Sequence, residues 1–291
     1  MQVTPETRVS ALIEALPYIQ KFRGHTIVIK YGGAAMEDPS QVERLLGDIV
    51  FLEAVGINPV VIHGGGKAIT QAMREAGLQA RFVNGLRITD EASIRIVEAT
   101  LDGKVNPRIV EILNAFQGNA QGVSGKQIFV AERLGPQTEN GETIDAGFVG
   151  KNVHKVEAEK IRELVSREVV PVVSSLASDG GNGVLNVNAD IAAAALAMAL
   201  KASKLIYVSD VAGVMRDPTN MESLIPTITI AQSESLIDEG IIKGGMIPKV
   251  RSAMEALKQG VGKIHFLSGS IPHGLLLEIF TTSGIGTEII D

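Results

Sequence analysis

The chain has 291 residues, 45% of them hydrophobic and 21% charged, which is enough for a large buried core. Its net charge of -6, with no basic tract, argues against a nucleic-acid-binding protein. It has no cysteine, so disulfides and thiolate metal sites are excluded, and no apolar run of about 20 residues that would suggest a membrane span.

Met1–Arg23 carries Glu6 and Glu14 among its apolar residues and lacks the unbroken apolar stretch of a signal peptide. The expected compartment is the cytoplasm. Thr4-Pro5-Glu6 reads as a helix start: a capping hydroxyl, a proline at the first helical position, then an acid near the positive helix end. Val9, Leu12, Ile13 and Leu16 follow at helical spacing, and Pro17 should kink or end the helix. This amphipathic helix has no place in a sheet, so its stripe packs either on its own domain or on another subunit.

Short apolar runs then alternate with helical patterns. Strands are expected at Thr26–Lys30, Pro59–His63, Gln127–Ala131, Val169–Ser174, Lys204–Val208 and Lys263–Leu267. Helices are expected at Pro39–Val55, Ala68–Ala76, Asp90–Leu101, Pro107–Phe116, Val156–Ser166, Ala189–Leu200, Ala231–Glu239 and Pro248–Gln259. Apolar strands separated by helices predict an α/β fold with a mainly parallel sheet covered on both faces. The polar, glycine-rich stretch Ala177–Gly183 suggests a soft lobe boundary.

Glycines gather where strands end or helices begin: Lys30-Tyr31-Gly32-Gly33, His63-Gly64-Gly65-Gly66-Lys67, Ser209-Asp210-Val211-Ala212-Gly213 and Gly244-Gly245-Met246-Ile247-Pro248-Lys249. Glycine at such places lets backbone N–H groups approach phosphate oxygens, and helix N-termini add positive charge. One such loop is usually a tight turn; several, with lysines nearby, point to an anion site. The P-loop pattern is absent, Ile69 breaks the dinucleotide fingerprint at the triple glycine, and there is no protein-kinase His-Arg-Asp loop.

Together these loops resemble the amino-acid kinase family, and the resemblance covers essentially the whole chain. It rests on Lys30-Tyr31-Gly32-Gly33-Ala34-Ala35-Met36, His63-Gly64-Gly65-Gly66, Asn84-Gly85-Leu86-Arg87-Ile88-Thr89-Asp90, Asn186-Val187-Asn188-Ala189-Asp190 and Gly244–Lys249, in that order and spacing. Lys67-Ala68 and Ser209 depart from the commoner Pro-Glu and Thr. The likeness is greatest to members that phosphorylate the side-chain carboxylate of N-acetyl-L-glutamate with ATP and Mg²⁺, in arginine biosynthesis. It implies a three-layer αβα sandwich, with an N-terminal helix over 1–23, a substrate lobe over 24–180 and an ATP lobe over 181–291. It also implies dimers through the substrate lobe.

A carboxylate nucleophile is already ionised at neutral pH, so no general base is required. Catalysis must come from positioning and from cancelling charge on the transferring phosphoryl group. The resemblance gives Lys30 and Lys249 to the phosphates and makes Asp190 the carboxylate that orients both. It gives Gly33, Gly65 and Gly66 to the phosphoryl group, and Arg87 and Asn186 to the substrate. Gly32, Ser209, Asp210, Gly213, Gly245 and Met246 would hold ATP. Pro248 suits a first helical turn, which would set Lys249 near the positive helix end. Arg87 could instead form a surface pair with Asp90, and His63 reads as a strand-end packing residue rather than a catalyst. Mg²⁺ would ride mainly on nucleotide phosphates; no dedicated metal ligands are expected.

The tail resembles that of arginine-inhibited family members, in which N-terminal helices interlace dimers into a hexamer. That implies an allosteric arginine site at Tyr18, His265, Glu278 and Gly286. A carboxylate at Glu278 suits a guanidinium. Other members, acting on glutamate, carbamate, aminoadipate derivatives or UMP, are the nearest competing expectations, with a non-catalytic sensor of the same fold behind them. A PII-type regulatory partner has no signature in the sequence.

Overall fold

The computed structural model describes residues 4–139, 141–281 and 284–291; residues 1–3 of the N-terminal segment and the side chains of Ala34 and Ala35 lie outside this description. Its centre is an eight-stranded sheet. From edge to edge the strands are Thr227–Thr229, Thr287–Ile290, Lys263–Ser268, Lys204–Ser209, Thr26–Tyr31, Asn58–His63, Val170–Ser174 and Ala120–Val123. Only Thr287–Ile290 against Lys263–Ser268 is antiparallel; the other neighbours run parallel.

The central strands are apolar on both faces, as a doubly covered sheet requires. Val28, Val60, Ile62, Leu205, Tyr207 and Phe266 face one core. Helices Ala189–Leu200, Met246–Lys258 and Ala158–Ser166 cover it. Their neighbours Ile27, Ile29, Val61, Ile206, Val208 and Leu267 face the other. Helices Pro39–Ala54, Asn106–Ala115 and Gly274–Phe280 cover that face. The expected three-layer α/β sandwich is what forms. The alanines of Ala189–Leu200 are small enough to let that helix lie close to the sheet.

Strand register brings the glycine loops to one edge. Tyr31 pairs with His63 and with Val208, so Gly32, Gly64 and Ser209 leave the sheet side by side. The strands before residue 180 make one half of the sheet and those after 204 the other.

Several expectations need correction. The strand read at Gln127–Ala131 is Phe129–Arg133, and it joins a small four-stranded barrel with Val149–Val156, Leu176–Ser178 and Val184–Val187 rather than the main sheet. The N-terminal helix runs without ending at Pro17, from Pro5 to Phe22. Proline removes one N–H bond, and the turn beyond it is secured by Arg23 N–H on the Ile19 carbonyl and by Phe22 packing against the core. No residue of that helix is buried, so its apolar stripe does not pack on its own domain. The helices expected at Asp90–Leu101 and Pro107–Phe116 form one continuous rod. A π-helical turn, Leu101–Val105, joins Glu91–Thr100 to Asn106–Ala115. Among the described residues, no helix is long and apolar enough to cross a membrane.

Candidate active site

Beyond the carboxyl ends of the central strands, where open α/β sheets bind ligands, lies a cleft of about 310 Å³. Lys30 comes to it from the end of Thr26–Tyr31, Asp190 from the first turn of Ala189–Leu200, and Lys249 from the first turn of Met246–Lys258. Lys30 Nζ lies 3.0 Å from Asp190 Oδ1, and the other carboxylate oxygen holds Lys249 Nζ. Burial pushes the Asp190 carboxyl up, but the two ammonium groups outweigh it and hold the carboxyl below its usual range. Asp190 is therefore ionised and clamps the two cations together.

Asn188 makes that geometry possible. Its side chain accepts from the Asp190 N–H at 2.7 Å and caps the helix, which points the helix N-terminus into the cleft. Glycine at position 32 leaves room for the Lys30 ammonium: a Cβ there would crowd it, standing 3.0 Å from Lys30 Nζ and 3.2 Å from its Cε. At Gly33 the backbone takes φ +73°, which disfavours any side chain. Gly65 precedes and Gly66 opens the helix Gly66–Glu75 in the same cleft wall.

Arg87 reaches the cleft from the short hairpin formed by Phe82–Val83 and Leu86–Arg87. The pairing with Asp90 is not made. Asp90 caps the next helix instead, accepting from Ser93 N–H at 2.8 Å. The Arg87 guanidinium lies over the Phe82 ring and donates to the Gly66 carbonyl at 2.8 Å and the Thr70 hydroxyl at 2.7 Å. It is buried, and among the described residues no carboxylate pairs with it. A buried cation without a counter-ion is a strong attractor for an anionic ligand group. Asn186, on the small barrel, lines the same cleft, and its Nδ2 donates to Thr89 Oγ1 at 3.2 Å.

The residues expected around ATP are more scattered. Ser209 closes its strand and caps the turn by accepting from Val211 N–H at 3.2 Å. Asp210 reaches the rim of the cleft, since a Cβ on Gly33 would lie 3.9 Å from its Oδ1. Gly245 and Met246 begin the helix that carries Lys249. Gly213 has a packing role: a Cβ there would meet Thr287 Oγ1 at 2.3 Å. A second, mostly apolar hollow of about 640 Å³ shares Gly33, Gly65, Gly66 and Arg87 with the cleft and continues past Met36 and Ile109.

The tail residues also converge. Tyr18, His265, Glu278 and Gly284 line a pocket of about 300 Å³ between the N-terminal helix and the sheet edge. Glu278 Oε1 lies 2.6 Å from His265 Nδ1, and its Oε2 accepts from Ile285 and Gly286 N–H at 2.6 and 3.1 Å. Gly286 thus serves the pocket through its backbone. Burial raises the Glu278 carboxyl, and the histidine and amide bonds more than reverse that.

Sequence reading missed Lys204, whose Nζ lies 2.8 Å from His265 Nε2 and 5.2 Å from the centre of the Phe22 ring. A lysine opening an apolar strand looks like a solvated flank; only the fold reveals that it is buried. Thr70 was missed as well, although it stands one turn after Gly66 on a helix that starts in the cleft.

This sheet and cleft define an α/β protein whose site, two lysines on one carboxylate beside glycine loops, is built for an anionic ligand. The description "Amino acid kinase family" matches residues 25–268. The chain is 52% identical to the acetylglutamate kinase of Akkermansia muciniphila, over 97% of this chain and 95% of that protein. It is 45% identical to the acetylglutamate kinase of Carboxydothermus hydrogenoformans, over 97% of each. Among solved structures, N-acetylglutamate synthase from Neisseria gonorrhoeae, complexed with coenzyme A and N-acetyl-glutamate, aligns with a TM-score of 0.84 at 28% identity. That alignment covers 97% of this chain and 63% of the synthase chain. Carbamate kinase from Giardia lamblia, bound to AMP-PNP, shares the fold with a TM-score of 0.66 at 19% identity, over 92% of this chain and 99% of the other. The chain belongs to the amino acid kinase family and, within it, to the acetylglutamate kinases.

Proposed function

We propose that the cleft transfers the γ-phosphoryl group of ATP to the side-chain carboxylate of N-acetyl-L-glutamate, a step of arginine biosynthesis. The observation that carries this reading is the convergence of Lys30 and Lys249 on one buried carboxylate, beside the Gly65–Gly66 loop and Arg87, which has no carboxylate partner among the described residues. The chain is an enzyme, a phosphotransferase with a carboxyl group as acceptor.

The acceptor arrives ionised, so proton removal is not the difficulty; bringing an anion to a polyanion is. Lys30 and Lys249 supply the positive charge, and Asp190 fixes where they point. The amides of Gly33, Gly65 and Gly66 receive the transferring group, and the helix N-terminus at Asp190 adds its partial charge. Arg87 grips the substrate α-carboxylate, with Asn186 beside it. ATP lies along Gly32, Ser209, Asp210, Gly213, Gly245 and Met246. The one acidic group between the lysines is fully engaged by them, which fits Mg²⁺ carried by the phosphates; it screens triphosphate charge when bound.

The pocket at Tyr18, His265, Glu278 and Gly286 suits arginine as a feedback inhibitor, because its ionised, oriented carboxylate matches a guanidinium. Dimers form through the substrate lobe, whose strand Ala120–Val123 is an edge of the main sheet, with no strand beyond it among the described residues. The exposed stripe of the N-terminal helix joins dimers into hexamers, in the cytoplasm.

ATP consumption with N-acetyl-L-glutamate, measured beside glutamate, aspartate and UMP, tests the substrate. The acetylated substrate should turn over fastest; faster turnover of free glutamate would overturn the assignment. Activity that stays flat up to millimolar arginine would remove the feedback reading alone.

A further inference from the structure

The π-helical turn Leu101–Val105 lies directly behind the glycine loop. A Cβ on Gly65 would come within 2.7 Å of Leu101 Cδ2 and 3.4 Å of Val105 Cγ2. Such a turn adds a residue to the helical repeat at some cost in hydrogen bonding, and it recurs at functional sites. Here it sends two polar side chains toward the sheet. Asp102 accepts from the hydroxyls of Ser124 and Ser174, each at 2.6 Å. Asn106, buried one residue past the turn, places Nδ2 2.8 Å from the Val172 carbonyl and 3.0 Å from His63 Nε2. His63 Nδ1 then lies 3.0 Å from the carbonyl of Gly64. Room for Asn106 exists because residue 122 is glycine: a Cβ there would overlap Asn106 Oδ1 at 2.1 Å.

The two carbonyls at the ends of this chain determine every proton between them. The Val172 carbonyl can only accept, so Asn106 must present its amide nitrogen. That nitrogen donates its second hydrogen to His63 Nε2, which must therefore carry a lone pair. The imidazole proton then resides on Nδ1 and is donated to the Gly64 carbonyl. Burial supports the neutral ring, lowering the His63 pKa to about 4. Gly64 is tied on its other side too, its N–H donating to the Tyr31 carbonyl at 3.3 Å.

We infer that His63 is a positioning residue for phosphoryl transfer: its Nδ1–H, oriented by Asn106 and the π-helical turn, locks the Gly64 peptide so that the Gly65 and Gly66 amides face the transferring group. The inference rests on the function proposed above. His63 touches no reacting atom. It fixes a loop that would otherwise have glycine's conformational freedom, so that the donors are set before charge develops.

Two substitutions separate the two ring nitrogens. His63→Asn puts an amide nitrogen near the place of Nδ1 and keeps the Gly64 bond. His63→Gln reaches the place of Nε2, keeps the Asn106 bond and loses Gly64. His63→Gln should lower kcat by about tenfold to a hundredfold, since small displacements of aligned groups cost that much, while His63→Asn stays within about threefold of wild type. KM for ATP should hardly move in either, and Asn106→Ala should behave like His63→Gln. Equal kcat in the Asn and Gln variants, whether both fast or both slow, overturns the inference. Histidine ¹⁵N NMR of the wild-type protein gives a readout that needs neither a variant nor a substrate. A protonated Nδ1 with a bare Nε2 at neutral pH is expected; the opposite tautomer overturns the inference. Turnover is measured with whichever acceptor the substrate panel selects, so failure of the acetylglutamate reading is seen separately, in wild-type enzyme.

Discussion

Lys30 Nζ lies 3.0 Å from Oδ1 of Asp190, and this buried pair is completed by Lys249 on the opposite oxygen. The carboxylate keeps two like charges within reach of one triphosphate. Asp190→Asn keeps the shape and removes the charge that holds them. Its kcat should fall by about a hundredfold to a thousandfold, the scale seen when a preorganised charge-stabilising group is lost. KM for ATP should change far less, because phosphate attraction by the lysines survives. Steady-state kinetics with ATP varied would show it; a KM-only effect would mean that Asp190 serves binding rather than the transition state.

Arg87 is the converse case, a buried cation whose hydrogen-bond partners among the described residues are neutral. Lysine keeps the charge but cannot offer two parallel donors or stack on Phe82 in the same way. Arg87→Lys should therefore raise KM for N-acetyl-L-glutamate by about tenfold to a hundredfold, the worth of one charge-assisted bond of 1.5–3 kcal/mol. KM for ATP and thermal stability should stay near wild type. An unchanged KM for the acetylated substrate would show that its carboxylate is held elsewhere.

The parts of this site that sequence reveals are those carried by short contiguous signals. Lys30 and Lys249 each stand within a few residues of a glycine pair. Strands such as Val28–Ile29 and Leu205–Ile206 announce burial on both faces. What stays hidden depends on context. Ala120–Val123 pairs with Val170–Ser174 although it reads Ala-Gln-Gly-Val, because an edge strand needs little apolar surface. Asp102-Gly103-Lys104 looks like a break between helices; its neighbours keep it helical by packing, and the polar residues it redirects find partners only in the folded sheet. His63 reads as packing from its strand position, and its tautomer follows only from the carbonyl of Val172, far along the chain.

Lys204 gives the protein a pH signature. Burial first, then nearby Lys263, lowers its ammonium pKa to about 8 from 10.5. Between those values the unfolded chain holds a proton that the folded chain has released. Stability contributed by this residue therefore rises with pH across that window, and the penalty is fully present below about pH 8. Lys204→Met has no proton to exchange. Urea unfolding of both proteins at pH 7.5 and 9.5 should show wild type gaining about 2 kcal/mol relative to the variant. A difference that does not vary with pH would mean that Lys204 is as well solvated as an ordinary lysine.

The N-terminal helix leaves Val9, Leu12, Ile13 and Leu16 between 44% and 65% exposed, an apolar stripe that the described residues leave largely uncovered. The base of the same helix is different: Phe22 packs against the core and Tyr18 walls the pocket that holds Glu278. The stripe and the base should therefore separate experimentally. Leu12→Glu with Ile13→Glu places two charges on the stripe and leaves Tyr18 and Phe22 in place. Light scattering should find wild type as hexamers and the double variant as dimers, with near-normal kcat, since the catalytic cleft lies on other elements. Hexamers that survive the two charges would assign the stripe some other cover and remove the helix from the assembly. Dimers that also lose their response to arginine would tie the pocket to the assembly, because a guanidinium bound at Glu278 would then depend on how the neighbouring helix holds Tyr18.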